Sequence, residues 1–176
     1  MIESLYWKEE LVRIAKSLMP SKKPSRWSER AVCTVERDVM IGFFILRRLI
    51  EMDKLSSQTT KKKVSVFSYR TIRQINKLSR FSLERNYDWV NEVSHEKTLV
   101  YIANQFIHSY ISEVTRDSTR NWSDILIVSD FDRKDRIWRI PIAQLSRTFI
   151  IASSDWPHEL HYKLDSEKGD YVVRTN

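Results

Sequence analysis

Apolar positions recur at helical spacing near the start of the chain. Trp7, Leu11, Ile14, Ala15 and Leu18 share one face of a helix predicted over residues 5–19, which Pro20 and Pro24 end. After a basic linker over 20–28, Ser28 is placed to cap a second, longer helix reaching about residue 54. Its face is Val35, Val39, Gly42, Phe43, Leu46, Leu49 and Ile50, and Ile41, Phe44 and Ile45 make its middle apolar all round, which predicts a central buried helix. Arg47 and Glu51 fit an i,i+4 pair. A turn over 56–60 precedes a β-branched and aromatic strand over 61–69, and Ile72, Ile75 and Leu78 suggest a short helix within 70–91. The longest regular pattern places Leu99, Ile102, Ala103, Phe106, Ile107 and Tyr110 on one face of a helix over 95–111. Strands over 124–129 and 136–140 flank a polar turn. Pro141 opens a helix over 142–151 with Leu145, Phe149 and Ile150 inward, and a tail from residue 156 turns near Gly169.

These elements predict one α+β domain: a helix-rich core, with the long central helix and the late amphipathic helix, beside a small antiparallel sheet. Its regions are helical over 1–57, basic strand and irregular over 58–94, helix-hairpin-helix over 95–155, and a tail over 156–176. Composition narrows the function. Two glycines cannot build a Gly-rich phosphate loop or dinucleotide turn, and the single Cys33, expected to be a small apolar filler, leaves no disulfide and no thiolate cluster. The first residues lack the apolar core of a signal peptide, and the longest apolar run is too short to span a membrane, so a cytoplasmic chain without membrane contact is expected. No residue set calls for a metal or another cofactor.

Charge changes the picture more. The net charge is +7, but residues 54–85 alone carry nine basic groups against Glu84. Lys61, Lys62, Lys63, Arg70, Arg73, Lys77, Arg80 and Arg85, interleaved with Phe67, Tyr69, Phe81 and Tyr87, form a candidate surface for RNA or single-stranded DNA, or for an acidic protein, in which case the chain reads as a structural or oligomerisation subunit. A competing reading places the aromatic residues in the core, with the lysines guarding an edge strand.

Two smaller constellations stand beside it. Tyr101, Asn104 and His108 lie on the helix side away from the apolar stripe, where His108 is either a packing residue or part of a site. Asn-x-x-x-His on a late helix resembles the motif of HEPN-type helical domains, which implies metal-independent RNA cleavage by Asn104 and His108 and a dimer that brings two sites together. The family's arginine position is occupied by Ala103, so the cation that stabilises the scissile phosphate would have to come from elsewhere, such as Arg37 or Arg48. The segments Glu36-Arg37-Asp38, Gly42-Phe43-Phe44, Arg47-Arg48-Leu49-Ile50-Glu51, Lys54-Leu55-Ser56 and Asn104-Gln105-Phe106-Ile107-His108-Ser109-Tyr110 are similar to an uncharacterised bacterial family, which implies a bacterial or mobile-element origin and no established activity; the basic surface leads to the expectation of a non-enzymatic accessory or defence-type protein. Finally, Asp132-Arg133-Lys134 with Asp124 resembles the Asp…(Asp/Glu)-x-Lys pattern of metal-dependent nucleases, but it falls in a turn with its charge self-compensated, which favours a solvated turn.

Overall fold

The computed structural model describes residues 4–19, 27–167 and 169–175. The predicted linker and its prolines lie outside these, apart from Trp27 and Ser28. Helix α1 (Ser4–Leu18) buries Leu11, Ile14, Ala15 and Leu18. Helix α2 (Glu29–Glu51) starts where predicted, with Ser28 Oγ accepting the Ala31 amide at 3.2 Å. It buries Val35, Val39, Gly42, Phe43, Ile45, Leu46 and Leu49, and Arg47 pairs with Glu51 at 2.8 Å. It is not buried all round: Ile41 and Phe44 face outward beside Tyr6 of α1, and Cys33 is exposed rather than packed. The helix formed by Leu99–Ile107, together with α1, packs beside α2 and covers its buried face, while the side carrying Ile41 and Phe44 is left to solvent.

Among the described residues, strands β1 (Lys63–Arg70), β2 (Val93–Thr98), β3 (Ser109–Arg116), β4 (Trp122–Ser129) and β5 (Arg136–Pro141) form one antiparallel sheet of order β2-β1-β5-β4-β3. Helix-rich therefore overstates the fold, which is a balanced α+β arrangement. Val64, Val66, Val114, Ile125, Ile127, Trp138 and Ile140 join the main core with α1, α2, α5 (Leu99–Ile107) and α6 (Ile142–Ser154). In α6, Leu145 and Phe149 are buried, but Ile150 is exposed. The other sheet face carries a smaller core in which Ile111, Leu126, Val128 and Ile137 meet Ile75, Leu83 and Tyr87.

Two predicted helices are corrected. Residues 95–111 do not form one helix: the chain ends β2, caps α5 with Thr98 Oγ1 accepting the Tyr101 amide at 3.2 Å, and enters β3 after His108. The region predicted as helix-hairpin-helix is thus strand, short helix, three-strand meander and helix. Residues 72–78 form no helix: the chain is irregular to Asn76 and then turns over 77–81, because Asn76 Oδ1 accepts the amides of Leu78 and Ser79 and so competes with helical bonding. Ile75 is buried there while Ile72 and Leu78 are exposed, and the helical turn comes later, in α4 (Leu83–Asn86). The turn after α2 contains the short α3 (Ser57–Thr60). The tail forms a separate hairpin, β6 (Leu160–Asp165) and β7 (Asp170–Thr175), with Gly169 at φ +64° and Thr175 Oγ1 donating to Leu55 O at 2.7 Å.

Candidate nucleic-acid interface

The sheet divides the basic segment into two groups. Lys63 pairs in register with Thr98 at one end of β1, and Arg70 pairs with Arg136 at the other. A strand advances about 3.3 Å per residue, so roughly 23 Å separates the two ends. Lys61, Lys62 and Lys63 are exposed at the first end. Arg70, Arg73, Lys77, Arg80 and Arg85 gather at the second, on and beside the loop between β1 and β2.

That loop is pinned by its apolar residues, so its cations project from a defined base. Ile75, Leu83 and Tyr87 are buried against the second sheet face. Backbone bonds from Thr71 N to Asp135 O (2.8 Å) and from Ile72 N to Asn86 O (2.8 Å) tie it to the β4–β5 turn and to α4. The buried Asn86 closes it by donating Nδ2 to Ser79 O at 2.8 Å. Arg73, Lys77 and Arg85 are exposed, whereas Arg80 is half-buried with its guanidinium 4.6 Å from the Phe81 ring and 5.6 Å from the Tyr110 ring. Phe81 itself is 77% exposed.

The β4–β5 turn contributes to the same end. Thr71, Arg73, Gln74, Arg133 and Lys134 line a groove of about 560 Å³. Arg133 sits 4.7 Å from the Tyr110 ring, donates to Ile75 O at 3.3 Å and pairs with Asp130 at 3.0 Å. Phe131 stands 80% exposed at the tip of that turn and meets the His108 ring edge-on at 5.9 Å. In the sequence, Phe131, Arg133 and Lys134 read as part of an isolated solvated turn, because nothing local brings residues 130–135 to residues 71–76.

Not all predicted aromatics reach this surface. Burial removes Tyr87 and pushes its phenol well above the usual range. Phe67 and Tyr69 are half-buried on the second sheet face. Phe67 lies under the Arg139 guanidinium at 4.2 Å, and Tyr69 donates to Glu92 and packs against Trp89. Only Phe81 of the four is open for stacking.

Asn104 and His108 are both on α5, but in different surroundings. Asn104 Oδ1 accepts from Arg47 Nη1 at 2.5 Å, while His108 ends the helix and is exposed. Phe44, Arg47, Arg48, Glu51, Ile107 and His108 line a cleft of about 300 Å³ between α2 and α5. A cation thus stands beside the motif that Ala103 leaves incomplete, although Glu51 pairs with both Arg47 and Arg48. Arg37 is committed to the buried Asp38 at 2.6 Å. Tyr101 turns to another side: its hydroxyl donates to Asp132 Oδ2 at 2.5 Å, and burial followed by that carboxylate raises its pKa.

The aspartate turn does not converge on an ion. Asp130 pairs with Arg133, Asp135 with Arg136 and Asp124 with Arg139, and among the described residues no group of three or more potential ligands has metal-site geometry. No described helix is long and apolar enough to cross a membrane. The geometry defines an α+β domain with a cationic, aromatic rim at one end of its sheet. Comparison with protein-family models, curated proteins and solved structures finds no match to this chain.

Proposed function

We propose that this chain is a non-enzymatic module that binds single-stranded nucleic acid, RNA or DNA, through the loop over 70–85 and the adjoining β4–β5 turn. One observation carries the reading: Arg70, Arg73, Lys77, Arg85 and Lys134 are exposed, together with Phe81 and Phe131, on the loop and the β4–β5 turn that meet at one end of the sheet. Cations neutralise phosphates and release counterions, and an accessible ring stacks on any base. An accessory or defence-type role in a bacterium or mobile element would use such binding.

The test is fluorescence anisotropy with labelled single-stranded RNA, single-stranded DNA and duplex DNA. Each phosphate contact on a single strand is worth about fivefold in affinity at 0.1 M salt, so changing Arg73, Lys77 and Arg85 together to Gln is expected to weaken binding roughly a hundredfold. Unchanged affinity would sink the proposal. Absence of nucleic-acid binding by the unaltered chain would redirect the same surface to an acidic protein.

A second reading rests on the bond between Arg47 and Asn104. It supplies a guanidinium beside the Asn-x-x-x-His motif, and it supports metal-independent RNA cleavage in the α2–α5 cleft. Cleavage in the presence of a chelator that disappears in His108→Ala supports this reading, and cleavage that survives the substitution dismisses it.

A further inference from the structure

The helix-side face of the sheet carries a separate polar cluster at its β2–β1–β5 corner. Trp138 of β5 is its floor. Around that buried ring stand the His95 ring at 5.1 Å, the Tyr101 ring at 5.5 Å, Lys97 Nζ at 5.0 Å and the Arg136 guanidinium at 5.4 Å. His95 and Lys97 alternate along β2 and so point to one face. His95 Nε2 lies 2.9 Å from Ser68 Oγ and 3.4 Å from Arg136 Nη1.

The local carboxylates leave this charge incompletely matched. Arg136 pairs with the exposed Asp135 at 2.6 Å. Asp132 Oδ2 is already taken up by Tyr101, Gln105 and Trp138, and Lys97 lies over two aromatic rings, with no carboxylate among the described residues at ion-pair distance. His95 responds to this field: burial, then Arg136, then Lys97 hold its pKa below the ordinary histidine value. Half-buried cations gathered about one histidine and one hydroxyl are expensive unless an anion accompanies them.

We propose that this corner is a binding site for a phosphoryl group, with Lys97 and Arg136 supplying charge and His95 and Ser68 supplying hydrogen bonds. The site adjoins the loop surface at Arg70 but uses neither Arg73, Lys77 and Arg85 nor the exposed Phe81. The charged and titratable groups on this face are Lys97 of β2, Arg136 of β5, Tyr101 of α5, Asp132 of the turn and, by register, Arg70 of β1. A bound dianion adds the largest new charge among them and favours the imidazolium, so it raises the His95 pKa.

The chain's four histidines, His95, His108, His158 and His161, provide the test. Their imidazole resonances are followed by NMR while inorganic phosphate, a 5′-mononucleotide or a dinucleotide is added. The expected result is a saturable shift of the His95 signals and a rise in its pKa, with affinity reduced about tenfold in Lys97→Gln and in Arg136→Gln, the loss of one charge-assisted hydrogen bond. Unchanged signals of the buried core methyl groups in these variants, such as those of Val66 and Ile140, verify the fold. A mononucleotide that outcompetes the dinucleotide identifies a terminal phosphate as ligand, and the reverse order identifies a phosphodiester within a strand. A response confined to His108, no response, or shifts insensitive to both substitutions would overturn the proposal. Oligonucleotide binding by the loop is read separately by anisotropy, so the two proposals fail independently.

Discussion

Asp132 Oδ2 accepts from three donors at once: the Tyr101 hydroxyl at 2.5 Å, Gln105 Nε2 at 2.9 Å and Trp138 Nε1 at 3.0 Å. Gln105, buried on α5, passes the connection on by accepting the Ser129 amide at 3.0 Å. One carboxylate therefore ties the helix, the β4–β5 turn and the sheet floor together. Asp132→Asn keeps the shape but removes the charge that three donors share. Hydrogen bonds to charged groups are worth about 1.5–3 kcal/mol, so a loss of about 2 kcal/mol is expected in urea unfolding, with a shift in Trp emission from Trp138. None of this is legible in the run Asp130-Phe131-Asp132-Arg133-Lys134-Asp135, where Asp132 looks no different from its solvated neighbours, because its partners lie on another element. Gly42 was legible only as a member of the apolar face. Its reason is contact: a Cβ there would sit 2.5 Å from Phe149 Cζ, in a core where Phe149 also meets Phe43 edge-on at 5.1 Å. Gly42→Ala gains helix propensity but must displace a fully buried ring. Overpacking of this kind costs about 1–3 kcal/mol, so the variant is expected to unfold at lower denaturant concentration.

The break between β2 and α5 is an event of element scale. Leu99, Ile102, Ala103 and Phe106 keep helical period and are buried as expected, whereas His95 and Lys97 keep period two along a strand whose backbone pairs with β1. The two patterns meet without a glycine or proline to mark the join, so periodicity alone extends the helix backward. Thr98 makes the join by capping α5, and Thr98→Ala is expected to cost about 1 kcal/mol, read by thermal unfolding. The strands over 124–129 and 136–140 and the helix α2 were legible because each carries its own boundary signal: Ser28 for the helix, a polar turn for the hairpin. Long-range charge was not. Burial, then the charge of Glu113 on β3, raises the pKa of Glu36 on α2; Glu113 is in turn raised by burial and then by Glu84. With folded values above the unfolded one near 4.5, the folded state binds protons more tightly, so stability falls as pH rises through and above 4.5. Glu36→Gln is therefore expected to raise the melting temperature at pH 7, and the gain should vanish below about pH 4. A melting temperature lowered at pH 7 would contradict the assignment.

At the scale of the molecule, the basic excess is legible as a segment but not as a surface. Residues 54–85 are contiguous in sequence, yet β1 carries Lys63 and Arg70 to opposite ends of a strand roughly 23 Å apart, and the β4–β5 turn returns Arg133 and Lys134 to only one of them. The lysine triplet and the loop are therefore separable in an experiment. For single strands, log affinity falls with log salt with a slope of about −0.7 per phosphate neutralised. If the strand is held at the loop end, changing Arg73, Lys77 and Arg85 to Gln removes about 2 from that slope, while changing Lys61, Lys62 and Lys63 leaves it within error of the unaltered protein. A strand long enough to run the length of β1 would instead lose about 2 from either set. Measuring the slope with oligonucleotides of increasing length separates these cases: a lysine contribution that emerges only beyond a threshold length places both ends of the sheet on one path. A lysine effect already full for the shortest oligonucleotide would move the primary contact away from the loop and its exposed Phe81.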